Sequence, residues 1–237
     1  MLNACQYGSV DNETGAKDSD SAVIHIAVLP TEECRPFYVA QQRGLFDSLG
    51  VEVRLDTFLA AMDADTAFMN NKVQLLVSDS LKARYLNSIV KHDSIQTVIT
   101  DTLHLSMMTG KPTRIKAISS LKEKIVAVTR NSALDYFADQ TMDQAKIKRE
   151  YLNRPQINNI ALRADMLNLN QYDGAILPEP FATQCEEQGA YRINSIKAPL
   201  MRVLVKKSVM KKRKDDIERI KEAYWMVKSG EKMVNGK

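Results

Sequence analysis

Glu179 stands between Pro178 and Pro180, after the apolar run Ala175–Leu177 and directly ahead of Phe181. The prolines fix the backbone on both sides of the carboxylate. A carboxylate held this way at a strand end can accept hydrogen bonds from a ligand, and the neighbouring ring can stack on a planar one. Similar polar pairs recur along the chain. Thr31 and Glu32 follow the run 23–30, and Ser78 and Asp79 close the run 73–77. Asn131 and Ser132 open a helical pattern, whose free N–H groups favour an anionic or carbonyl group. Phe58 and Met107 offer apolar walls. Each residue also has a plainer role open to it. Asp79 and Ser132 suit helix caps, Glu179 suits a helix dipole, and Phe58 and Met107 suit a core.

The chemistry in view is binding. The three histidines (His25, His92, His104) have no metal-ligand spacing. No Cys-x-x-Cys, nucleophile elbow, phosphate loop or dinucleotide fingerprint occurs. We therefore expect no catalytic residue, no metal and no cofactor. Cys34 sits where a helix should begin, which can lower a thiol pKa; a small buried filler is the simpler role. With Cys185 it does not make a disulfide framework.

The chain has 237 residues and a net charge of +4, without the focused basic stripe of a nucleic-acid binder. Its one dense basic run, 206–216, leads into a helical pattern and reads as a solvated helix face. No run approaches the roughly 20 apolar residues of a membrane-spanning helix. Leu2-Asn3-Ala4-Cys5 resembles a bacterial lipobox, in which the cysteine carries lipid. Residues 6–22 are polar, small and acidic, and read as a disordered tether. A diacylated Cys5 would hold the protein on a membrane surface.

These residues need elements to position them. Strands are expected at 23–30, 51–58, 73–79 and 94–100, with helices at 35–50, 60–71 and from Ser80 between them. In the last helix Leu81, Tyr85 and Ile89 fall on one face. This alternation implies a mostly parallel sheet flanked by helices. The pattern then restarts. Segment 104–110 looks extended, a strand follows at 124–129, and Ser132-x-x-Asp135 opens a helix. Further strands are expected at 157–162, 173–178 and 199–208, with helices through Glu187 and over 211–229. The fold class is α/β, with a second unit inserted in the first. Ligands of such sheets bind beyond the carboxyl ends of the strands, so the polar pairs should meet across a cleft.

"HIAVLPTEECRPFYVAQQRGLFDSLGVEVRL", "KVQLLVSD", "VTRNSALDYF" and "DGAILPEPFAT" occur in this order. The set resembles the ABC-transporter substrate-binding proteins of type II periplasmic fold, and within them the nitrate, sulfonate and thiamine-precursor branch. The resemblance implies a two-lobed clamshell, each lobe a mostly parallel sheet flanked by helices. Lobe 1 would span 23–105 plus 199–237 and lobe 2 106–198, with crossings near 103–112 and 195–200. It also implies a small solute between the lobes, an ABC permease as partner, and a monomer in the periplasm or cell envelope. Acidic candidates (Glu32, Asp79, Glu179) outnumber basic ones (Arg35, Arg130). That favours a neutral or cationic polar solute, such as a heteroaromatic vitamin precursor. Two rivals stay open. One is an enzyme on the same fold, of menaquinone-pathway or pyrimidine-precursor type; the latter's histidine- and cysteine-rich motif is not found here. The other is the sensor domain of a regulator, but 1–22 is too short and polar for a DNA-binding helix pair.

Overall fold

The computed structural model describes residues 22–235. Cys5 and nearly all of the stretch 6–22 lie outside them. The chain forms β1 (Ile24–Val28), α1 (Arg35–Gln42), α2 (Leu45–Ser48), β2 (Val53–Thr57), α3 (Ala61–Met69), β3 (Leu75–Asp79) and α4 (Ser80–Ile89). β4 (Ile95–Thr109), β5 (Val126–Ala127), α5 (Ala133–Gln144), α6 (Ile160–Asn168) and β6 (Gly174–Pro178) follow. The chain then continues through α7 (Phe181–Glu187), β7 (Tyr191–Lys206), α8 (Lys207–Lys212) and α9 (Lys214–Asn235). A seven-stranded sheet takes the order β2-β1-β3-β7-β4-β6-β5.

The outer strands are parallel, as helix-linked strands must be: β1 with β2 and β3, and β5 with β6. β1 is buried along almost its whole length, which is why it reads as an apolar run. The centre is antiparallel. β4 and β7 pair from Ile95–Lys206 to Thr109–Tyr191. β3 joins the 201–205 part of β7, and β6 joins the 105–109 part of β4. One long ladder thus carries both halves of the sheet. Helix α9 packs on α1, where the Tyr224 and Phe37 ring centroids lie 5.0 Å apart.

Several expectations are corrected. Segments 94–100 and 104–110 are one strand. Asp101 does not break it, because its carboxylate accepts from Tyr224 Oη at 2.6 Å and pairs with Lys228 at 2.8 Å. A register shift between Asp101 and Leu103 absorbs the irregularity. Segment 157–162 is not a strand. Asn159 Oδ1 accepts from Leu162 N at 3.0 Å and caps α6. The face of α4 is also different: Lys82 and Leu86 are buried, while Tyr85 and Ile89 are about half exposed. The C-terminal helix is interrupted at Arg213, whose φ of −124° is not helical.

Gly174 shows how tightly the inner strands meet. A Cβ there would lie 2.7 Å from Met108 O. Gly174→Ala should therefore force the β4–β6 backbones apart and cost about 1–3 kcal/mol. Urea unfolding checks this, and an unchanged midpoint would show that the strands give way freely.

Candidate functional site

Leu29, just past β1, enters a cavity of about 60 Å³ between the two halves of the sheet. Leu103 and Leu105 of β4 line it where the halves join. Glu33, Asp65, Asp79 and Lys82 reach it from the first half, and Thr129, Ser132 and Arg163 from the second. The halves touch around it. Glu32 N donates to Glu179 O at 2.8 Å, and Ile160 N to Leu59 O at 3.0 Å.

Local sequence explains each wall. After β1 the chain turns tightly around Cys34 Sγ, which accepts from Leu29 N at 3.3 Å and Thr31 Oγ1 at 3.7 Å. Burial pushes this thiol up to about 12, so the filler role fits it and the activated-thiol role does not. The same turn aims Glu33 at the cavity. Burial pushes its carboxyl up to about 7, against bonds from its own backbone and Thr31. Asp79 caps α4, its Oδ1 accepting from Leu81 N and Lys82 N at 2.9 Å each. Burial raises its pKa, while those two N–H groups and that of Ala133 pull it down. Ala133 opens α5, so Asp79 of one half sits at a helix N-terminus of the other.

Lys82 lies 3.3 Å from Asp65, and both side chains are about nine-tenths buried. Burial still lifts Asp65 to about 6, with Lys82 opposing. Arg163 differs. It is 1% exposed, and its Nη1 donates to Thr129 Oγ1 at 2.9 Å and Ile157 O at 2.6 Å. Its Nε is buried with no hydrogen-bond partner among the described residues. Among them it has no carboxylate partner either, and burial pulls its pKa down to about 10. Burying a charge without a charged partner is costly, and this guanidinium has only two neutral acceptors, Thr129 Oγ1 and Ile157 O. No three metal-ligating side chains are grouped to hold an ion among the described residues.

Of the residues singled out from the sequence, Ser78, Asp79 and Ser132 line the cavity. Ser132 also caps α5, its Oγ accepting from Leu134 N at 3.2 Å. Thr31 is buried in the turn beneath. Glu32 is exposed and lies 3.8 Å from Arg35. Phe58 packs with Ala64 and Phe68 beside a shallow surface pocket, and Met107 is wholly inside the main core. Asn131, with φ 54°, lies in an outer groove with Tyr85 and Tyr136. Phe181 packs on the core of α6, α7 and β6.

Glu179 does not line the cavity. Its Oε1 pairs with Arg192 at 2.6 Å, and its Oε2 accepts from Thr183 N at 3.1 Å and Thr183 Oγ1 at 2.8 Å. Burial works against this carboxylate, but Arg192 and Thr183 outweigh it and hold its pKa below the usual range. The carboxylate ties α7 to β7, and Pro180 occupies the N-cap position of that helix.

Glu33, Asp65, Lys82, Thr129 and Arg163 were not anticipated. The signal for two of them was present. Arg163 shares a helix face with Ile160, Ala164 and Leu167, and Lys82 shares one with Leu86. A cation on a core-facing stripe marks a buried charge.

No protein-family model matches the chain, and no curated protein sequence does. Solved structures do. The ligand-binding component of an ABC-type import system from Staphylococcus aureus, solved with zinc bound, superposes with a TM-score of 0.74 at 16% identity. It covers 85% of this chain and 72% of that one. The periplasmic nitrate-binding protein NrtA of Synechocystis gives 0.77 at 10% identity, over 89% and 62%. A Candida albicans gene product, described as having the generic periplasmic binding protein fold, gives 0.72 at 14%, over 90% and 73%. This chain has the periplasmic binding protein fold. In that fold the cavity lies where β4 and β7 pass from one half to the other.

The raised Glu33 pKa has a stability consequence. Its folded value, about 7, exceeds the ordinary 4.5, so the folded state holds the proton more tightly. The stabilisation is complete below pH 4.5 and is lost as pH rises through 7. Between pH 5 and 8 the unliganded protein should lose about 2 kcal/mol on this account, and Glu33→Gln should remove that loss. Denaturant unfolding at both pH values tests it; equal losses in the two proteins would sink the assignment.

Proposed function

We propose that the chain captures a small solute in this cavity and presents its closed form to the permease of an ABC importer. The fold supports this, since the Staphylococcus aureus neighbour belongs to such a system. The observation that carries it is Arg163, a buried guanidinium with no carboxylate partner among the described residues. Lys82 is neutralised by Asp65, and Asp79 is held by backbone N–H groups. That leaves Arg163 on one wall and Glu33 on the other. The pair suits a solute with an acid group at one end and a hydrogen-bond donor at the other, as in a small amino acid or amino-sulfonate.

The lining carries no aromatic ring to stack on a planar solute. A heteroaromatic solute is therefore the less favoured choice, in contrast to the bias of the acidic strand ends. The closing hinge is assigned to the register shift between Asp101 and Leu103, opposite Met201 and Ala198. This lies near the expected crossings, and the lobes are taken as 23–105 plus 199–237, and 106–198. A nucleophilic role for Cys34 is disfavoured by its raised pKa.

Attachment to a membrane through Cys5 is part of the same proposal, supported by the Leu-Asn-Ala-Cys pattern ahead of a polar stretch. A fatty-acid analogue fed to cells making the precursor should label the wild type and not Cys5→Ala. Equal labelling would remove the anchor from the proposal.

Arg163→Met tests the binding role. A lost charge-assisted hydrogen bond is worth roughly 1.5–3 kcal/mol, or about tenfold to a hundredfold in affinity. Calorimetric titration with small amino acids, amino-sulfonates and simple acids should show that loss. Unliganded stability should change little, because removing an unpaired buried cation offsets the two hydrogen bonds lost with it. Unchanged affinity with a large fall in stability would assign Arg163 to the fold.

A further inference from the structure

The dense basic run has a definite place in the fold. β3 points its Asp79 end at the cavity, and its Leu75 end pairs with Val205 and with Ile26 of β1. The start of β1 and all of α8 therefore sit at the end of the sheet away from the cavity. Arg213 joins them directly, its Nη2 donating to Ala22 O at 2.5 Å. The N-terminal segment thus enters the fold against the junction of α8 and α9.

Around that junction Lys207, Lys211, Lys212 and Lys214 are exposed. The loop at 91–94 lies against α8, since Lys207 N donates to Ser94 O and Ser208 N to Asp93 Oδ1 at 2.9 Å each. It adds the exposed Lys91 and His92. None of these five lysines has an ion pair among the described residues. Of the nearby acids Asp216 and Asp93 are engaged, while Glu52, beside the start of β1, is exposed. Asp216 is held by Arg213 at 2.6 Å and Arg219 at 3.4 Å, and Asp93 by Ser208. Asp215 is the exposed acid of the run.

We propose that this cluster rests on an anionic bilayer, its lysines against phospholipid headgroups. Its sign matches such a surface. Its location matches too, because the chain leading back to Cys5 departs from the same pole. A diacylated Cys5 would hold the chain at the surface, and a basic pole beside its tether would set which face of the protein meets the headgroups. The purpose given to the contact rests on the proposed anchor at Cys5, but the contact itself does not require lipid.

The test uses the full-length chain carrying Cys5→Ala, so that no acyl chain contributes. Sedimentation with vesicles of phosphatidylcholine mixed with phosphatidylglycerol is compared with phosphatidylcholine alone. The protein should bind only the anionic vesicles, and high salt should release it. Lys211→Glu, Lys212→Glu and Lys214→Glu together should weaken binding at least about tenfold. Lys122→Glu, Lys146→Glu and Lys148→Glu, in the other half, should leave it nearly intact. Melting curves confirm that both variants are folded. Four results would overturn the proposal: no binding, equal binding to both vesicle types, or equal loss in both variants. The fourth is binding that appears only when Asp11, Glu13, Asp18 and Asp20 are neutralised, which would give the patch to the chain's own acidic segment.

Discussion

The β4–β7 ladder is the constraint from which the rest of the molecule follows. Its two strands run antiparallel from Ile95–Lys206 to Thr109–Tyr191, and each half of the sheet is built on a different stretch of them. The parallel strands on either side bring their carboxyl ends to the same region. Helix starts gather there, and so do the polar groups that begin helices. The cavity is a result of this topology, and its side chains decide only what can fill it.

Within the cavity the charges are arranged by how completely each is compensated. Asp79 receives three backbone N–H groups, one of them from the opposite half. Lys82 and Asp65 satisfy each other. Glu33 has only its turn to help it, and Arg163 only two neutral acceptors. Buried charges with incomplete partners are costly to keep, and these two are the least compensated ionisable groups in the lining.

Much of this was legible in the residues themselves. The apolar runs of β1, β3 and β6 announced buried strands, and Ser78, Asp79 and Ser132 do reach the cavity. For Glu179 the residues left two roles open, ligand contact and helix start; its carboxylate pairs with Arg192, beyond α7, a partner that local pattern does not contain. Segments 94–100 and 104–110 read as two because Asp101, between them, finds its partners, Tyr224 and Lys228, only at the far end of the chain. Arg163 and Lys82 were visible as cations on apolar stripes, but what each would face depended on long-range pairing that local pattern does not contain.

That long-range pairing also governs when the molecule can be completed during synthesis. β1, β2 and β3 leave the ribosome early, yet the open edge of β3 is filled only by β7, where Leu75 meets Val205. Until then β3 presents an unpaired, apolar edge of the kind that recruits other strands. Tyr224, which grips Asp101, emerges later still. Contacts this distant in sequence form slowly, so the nascent chain remains open almost to its end. An unfinished chain of this design depends on protection from aggregation until its last helix arrives.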